Sequence, residues 1–500
     1  MKIHCLMQQR WPILVVLCLL ATFPAHAQSQ SWSVNGAPPD SYLQDATEVY
    51  GLNNGDVILV DGGAVARVSP GGTVQWARTY QQNDTLILIT DVLEYSDGRL
   101  LMAIVKIPDL YTKIGWMRTN DQGVPQQAAF FVDPPEASAL ATIDIHPSDN
   151  SFTICATSSG PLYHDHLFRF GPTGNLIYSR VETGGEILVF SLDQCSSGDD
   201  TYIVTPSSIL KVDEVGAPVW VSDLLGNGFF SFYRYHRVQA APEGVYFTFE
   251  GFDGNISRPG IGLLSHEGEI LWAKMIMADH PLLNDEPDIR DIELVVSQLR
   301  VAVCVGLPDD FFLFSFTQQL QEMHGSHVPV DRRPERIALT NDQGVAIAHE
   351  SIGYGTVLHI TDASLSLGEC VQEVPFSLED QSYNPIEWFL PEIAAYATTW
   401  APATITATSF NTVSNDICLG IGMAELRDPG RSLVVENELL TVRSTEPMNS
   451  AYTILDLAGK VHSQGVLRGH EVQIGVSALA PGSYLLHSPG STALRFVVYR

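Results

Sequence analysis

Short apolar runs alternate with clusters of turn-forming residues along most of the chain, and helical periodicity is almost absent. The clearest unit is DVILVDGGAVARVSPGGTVQWARTY, from Asp56 to Tyr80. It reads as strand, tight turn, strand, glycine turn, and a strand carrying Trp76. The same grammar returns in KIGWMRTNDQGVPQQAAFF, HDHLFRFGPTGNLIYSRVE, PSSILKVDEVGAPVWVSDL and RPGIGLLSHEGEILWAKMI. Weaker copies are DDFFLFSFTQQLQEM and GTVLHITDASLSLGE. Aligned on the turn, the copies fall at near-constant intervals: Gly72, Gly123, Gly174, Gly216, Gly268, Gln319 and Ser364. Glycine at that point permits the positive φ of a tight turn between antiparallel strands. Upstream hairpins such as EYSDGRLLMAIV and AAPEGVYFTFE bring each unit to about four strands.

A four-stranded sheet repeated at this period predicts an all-β fold, a seven-bladed β-propeller over residues 28–375. One blade alone leaves two apolar faces open, and stacking in a ring buries both. Trp76, Tyr178, Trp220 and Trp272 recur in the fourth strands and are expected to pack between blades. The stretch QSWSVNG (Gln30–Gly36) resembles a fourth strand that lacks its first three. Pairing with the strand near Thr356–Thr361 would complete the last blade and remove a sheet edge. Residues 376–430 lose the repeat, are rich in Thr, Ala and Pro, and are expected to form a linker. From Arg431 to Arg500 six short strands are expected: NELLTVRS, AYTILDLAGK, VHSQGVL, EVQIGVSAL, GSYLLHS and ALRFVVYR. Their spacing suggests a small Ig-like β-sandwich.

The chain has 500 residues, 57 Asp and Glu against 27 Lys and Arg, and a net charge of −30. That charge opposes binding to nucleic-acid backbones or anionic lipid. The N-terminus reads as a secretory signal peptide, residues 1–27. Lys2 and Arg10 flank the apolar stretch WPILVVLCLLATF, and AHA predicts cleavage after Ala27. Export beyond the cytoplasm follows. Ile386–Phe410 is apolar but contains Glu387, Glu392 and prolines, so no transmembrane span is expected in the mature chain. Five cysteines remain after cleavage: Cys155, Cys195, Cys304, Cys370 and Cys418. Cys155 and Cys304 sit in apolar strands and read as buried small hydrophobes. Cys370 and Cys418 flank the loop-rich segment after the repeats and are the candidate disulfide.

Three patterns resemble sites of chemistry. His164 and His166 of YHDHLF would share one strand face, with Asp165 opposite. Two histidines are fewer than a metal site needs, and a polar loop edge is expected. The pairs Asp199–Asp200 and Asp309–Asp310, and the stretch Asn284–Asp291, read as solvated turn acids. GTVQW, GAPVW and GEILW match the glycine-to-tryptophan turns of quinone-dependent propellers, but packing explains the Trp equally. No nucleophile elbow, HExxH, phosphate-binding glycine loop or CxxC occurs, so no catalytic, cofactor or metal residue is assigned and the cofactor stays unknown.

The last segment carries a family resemblance. YTILDLAGKV with Gly459 in its turn, VQIGVSALAPGSYLLHS with Leu479, Gly482 and Tyr484, and a closing strand ending at Arg500 resemble the type A C-terminal sorting domain of Bacteroidota type IX secretion cargo. The match covers residues 431–500 alone; RGHEV and the pair His487–Ser488 are more polar than that pattern. The repeat region resembles that of uncharacterised secreted proteins that precede such domains. The resemblance implies an address read by the outer-membrane type IX machinery after passage through the periplasm, with the protein secreted or held on the outer cell surface. The expected function is therefore a non-enzymatic binding or adhesion module with a glycan or protein ligand. The alternatives are an extracellular hydrolase or lyase with its site at the channel mouth, and a structural surface or matrix component. Acids grouped with Arg or His at the channel would favour the enzyme, and an aromatic groove would favour glycan binding.

Overall fold

A computed structural model of the chain describes residues 30–36, 48–106, 113–132, 137–158, 164–182, 193–205, 208–222, 234–253, 256–284, 287–330, 333–340, 344–351, 355–361, 371–380, 390–391, 393–416, 431–436, 439–456, 460–479, 482–488 and 494–498. Ala27, Cys370, Cys418 and Gly459 lie outside the described residues, as does Ser364. The described chain is nearly all β, with one short helix at Pro281–Asn284.

Antiparallel four-strand meanders follow one another in the propeller-like manner the repeats predict. The first comprises Glu48–Gly51, Val57–Asp61, Ala64–Val68 and Val74–Gln82. The second comprises Thr85–Glu94, Leu100–Lys106, Lys113–Thr119 and Pro125–Phe131. The third runs from Ala137–Ile145 to Leu176–Glu182, and the fourth from Asp193–Ser197 to Pro218–Ser222. The fifth runs from Arg234–Ala241 to Ile270–Ala278, and the sixth from Asp291–Val296 to His324–Pro329. The last has only Ile337–Leu339, Val345–Ser351 and Gly355–Ile360 from its own stretch of chain. Its fourth strand is Gln30–Gly36, with Gln30 opposite Ile360 and Val34 opposite Thr356.

Strand patterns explain the packing. Val57–Asp61 and Leu100–Lys106 are apolar on both faces and buried on both, as a sheet between two neighbours requires. Each apolar face meets the next unit. Ile58 and Val60 share a core with Ile87 and Met102, and Tyr246 and Ile261 share one with Val303 and Phe312. Val49 and Leu59 of the first unit share a core with Ala346 and Leu358 of the last.

The turn glycines do more than reverse the chain. Gly72, Gly123, Gly174, Gly216 and Gly268 have φ of 74°, 69°, 82°, 74° and 91°. In the sixth unit Leu320 takes this role at φ 60°, one position beyond the expected Gln319. Its N–H donates to Thr317 O as that of Gly123 donates to Asn120 O. Gly123 lies on the ring of Trp76 and Gly268 on that of Trp220, each from the preceding unit. Trp76 Nε1 donates to Asp121 O at 3.0 Å and Trp220 Nε1 to His266 O at 3.1 Å. Trp116, from a third strand, fills the same place beneath Gly174, because PQQAAFF offers no Trp. A Cβ on Gly123 would sit 2.8 Å from the Trp76 ring at a φ that L-residues avoid. Gly123→Ala is therefore expected to destabilise by about 1–3 kcal/mol, read by thermal unfolding.

The described part of the expected linker, 376–430, supplies edge strands, and Gln372–Glu373 just before it does the same. Gln372–Glu373 adds to the sixth unit and Phe376–Asp380 to the fifth. Ile393–Ala395 adds to the third and Trp400–Pro402 to the second. Thr406–Ser409 adds to the first, and Thr412–Asp416 pairs with Gln30–Gly36. The chain thus forms a belt that runs backward along the outer edges of the units, covering edge strands that would otherwise be open to pairing. Lys274 Nζ fixes one point of it, 2.5 Å from Asp380 Oδ1.

The C-terminal residues form a separate five-stranded sheet of Arg431–Glu436, Leu439–Asp456, Val461–Gly475, Gly482–His487 and Leu494–Val498. Two pairs of expected short strands are single long ones. Leu439–Asp456 and Val461–Gly475 pair throughout, across an irregularity between Arg443 and Met448. Leu440, Val442, Ile454, Leu467, Leu479, Tyr484 and Leu486 make its core.

Candidate functional site

From the second unit round to the last and on to the first, first strands of successive units contact one another, and the first strands carry a charged cluster at the centre of the repeat body. Contributors are Glu48, Asp91, Asp144, Asp193, Arg237, Asp291, Glu293 and Arg336. Irregular register places several of them. Shifts fall between Ile89 and Asp91, Ala137 and Ala141, and Tyr235 and Val238. Such bulges re-aim side chains and leave backbone groups for other partners.

Those groups are taken by the neighbouring unit. Asp91 Oδ2 accepts from Ile143 N–H at 2.9 Å, and Asp193 Oδ2 from Val238 N–H at 3.1 Å. The Thr90 hydroxyl donates to Ala141 O at 2.9 Å. Arg336 pairs with Asp91 at 3.0 Å, and its guanidinium lies 4.7 Å from the centre of the Tyr50 ring. Arg237, inside its bulge, pairs with Asp291 at 3.0 Å and with Glu293. His236 Nδ1 lies 3.1 Å from Asp291 Oδ1. Both arginines are therefore held by acids of other units.

Burial separates the carboxyls into two kinds. Burial opposes ionisation of Asp291, but Arg237 and His236 hold it well below the usual carboxylate range. Burial pushes Glu48 up to about 7, only partly offset by the Tyr50 hydroxyl. It pushes Asp144 up to about 7, against the Ser196 hydroxyl. Asp144 Oδ2 and His236 Nε2 are buried without a hydrogen-bond partner. Among the described residues no group of three His, Cys, Asp or Glu is placed to hold a metal ion.

The Asp144 shift fixes a pH prediction. Its folded pKa is raised, so its contribution to stability is full below the unfolded value and is lost as pH rises through about 7. Asp144→Asn keeps the shape and removes that loss. The variant should match the parent near pH 4 and exceed it at pH 8 by about 1–2 kcal/mol, a figure reduced for part exposure. Thermal unfolding across that range measures it.

The residues singled out from sequence fall elsewhere. His166 is buried between Phe131, Phe168 and Tyr396, a core histidine rather than the expected loop edge. Asp199 is exposed and accepts from Ser148, and Asp200 pairs with Lys211 at 2.8 Å. Asp310 pairs with His327 at 2.6 Å. Asp291 is not a solvated turn acid but a member of the central cluster. The Cys155 thiol donates to Gln194 Oε1 at 3.1 Å, and Cys304 is buried. Leu479 and Tyr484 are 4% and 5% exposed, and Gly482 opens its strand opposite Val498. Each unit contributes at least one of these charges, the sixth contributing two, on or beside its first strand. That recurrence was the signal that could have found them.

No protein-family model and no curated protein matches the chain. Among solved structures it is similar to a protein of unknown function from Bacteroides caccae, at 12% identity over 49% of this chain and 93% of that one, TM-score 0.32. It is also similar to the Dos1 propeller, at 12% identity over 64% and 79%, TM-score 0.40. A third is the plexin A4 extracellular region, at 8% identity over 90% and 74%, TM-score 0.42. The sheets themselves carry the fold assignment, and these likenesses add nothing about activity.

Proposed function

We propose that the protein is an exported surface-binding module: a seven-bladed propeller closed by its N-terminal strand, followed by a sandwich-like sorting domain. The observation that supports it most is the separateness of the segment from Arg431 onward. It holds its own sheet and apolar core, and its strands pair only with one another among the described residues. A receptor could read such a domain whatever body precedes it. On the resemblance set out above, that receptor is the type IX secretion machinery, and the protein ends outside the cell by way of the periplasm. The repeat body is the binding part, for a glycan or protein. The grouping of central acids with Arg237, Arg336 and His236 is the arrangement expected of a hydrolase or lyase, and the raised carboxyls of Glu48 and Asp144 add to that second reading. Binding stays the first reading because both arginines are committed to carboxylates that join units. Stopping the chain at Gly430 and locating the product tests the proposal.

A further inference from the structure

A cavity of about 170 Å³ lies where the second unit meets the belt, with Gln82, Lys106, Lys113, Phe131, Val132 and Pro402 in its wall. The chain carries −30, yet among the described residues no acidic side chain lines this cavity and two lysines do. Lys106 and Lys113 are direct cross-strand partners, so their side chains leave the same face of the sheet. Like charges so opposed destabilise a strand pair. Neither ammonium meets a carboxylate among the described residues. Lys106 Nζ instead donates to the carbonyl and side-chain oxygens of Gln82, at 3.2 and 3.1 Å. Those neutral oxygens fix its position without cancelling its charge. Beside the lysines the wall is apolar: Phe131, Pro402, and Val132, which is 44% exposed.

We infer that this cavity is a binding site for a small organic carboxylate, the acidic group seated between Lys106 and Lys113 and the body against Phe131, Val132 and Pro402. An anion there converts a repulsive pair into two charge-assisted bonds, while the apolar wall favours a carboxylate carried on a compact body over a bare inorganic ion. A uronic acid ring and a simple aromatic acid share this chemistry. The belt strand Trp400–Pro402 completes the wall, so the site exists only once the belt is docked. The inference rests on reading the repeat body as a binding module and is independent of the export route.

The test is calorimetric titration and thermal unfolding of the full mature chain with sodium glucuronate, sodium benzoate, glucose and sodium sulfate. Glucuronate or benzoate should bind and raise the melting temperature, and glucose should not. Comparing the two acids separates a sugar ligand from an aromatic one. Lys106→Gln and Lys113→Gln should each weaken the carboxylate at least about tenfold. Lys113→Gln without added acid should melt no lower than the parent, since it relieves the repulsion. Absence of carboxylate binding, equal binding of sulfate, or unchanged affinity in the double variant would overturn the assignment, wherever the protein is found in the cell.

Discussion

Removing residues 28–36 should lower the melting temperature of the mature chain by roughly 5–15 °C. Gln30–Gly36 is hydrogen-bonded on both sides. Its partners are Gly355–Ile360, the last strand of the repeat, and Thr412–Asp416, the end of the belt. Each backbone hydrogen bond contributes about 0.5–1.5 kcal/mol net, so a strand tied along both edges contributes on the order of 5 kcal/mol. Its loss also opens two sheet edges that invite pairing with other chains. Both partners lie far downstream, at Gly355 and beyond, so the strand can dock only after nearly all of the repeat body has been made. The deletion should therefore slow refolding and favour aggregation as well as lower stability. An unchanged melting temperature would mean that the N-terminal strand is an accessory and that something else closes the last unit.

The readable parts of this fold are those where one residue type is physically required. Gly72, Gly123, Gly174, Gly216 and Gly268 were legible because their turns need positive φ. Leu320 was not, because a leucine at φ 60° carries no such signature. Gln30–Gly36 stood out as a fourth strand without a sheet. The belt was illegible for the opposite reason. Its strands are very short and pair along one edge only, and those from Gln372 to Ser409 leave their side chains partly or fully exposed, so little alternation is imposed on the sequence. In the C-terminal sheet, turn-like residues near Thr445 read as a break, yet the strand continues through an irregularity. The central cluster was the largest omission. Single charges on distant first strands form a pattern only when the repeat register is known, and Asp291 looked like one more acid in an acidic turn.

Loss of the C-terminal sheet should leave a folded repeat body that fails to reach the cell surface. The sheet is small and has one core, so its stability margin is narrow. Tyr484 is buried in that core beside Ile454 and Leu486, with the His462 ring edge-on at 5.4 Å. Truncating a buried aromatic costs about 3–5 kcal/mol and a buried leucine about 2–5 kcal/mol. Tyr484→Ala with Leu479→Ala should therefore exhaust the margin of this sheet while the repeat body, with its separate cores, keeps its own melting transition. On the proposed reading the unfolded address goes unread and the protein stays in the periplasm.

The most direct measurement is fractionation with surface proteolysis of cells producing the full chain, the Leu479→Ala/Tyr484→Ala variant, or a chain stopped at Gly430. The account predicts the full chain outside and protease-accessible, with both altered proteins folded in their repeat body and confined to the periplasm. Altered proteins that reach the surface at the level of the full chain would contradict it, and would assign the C-terminal sheet to the work of the repeat body.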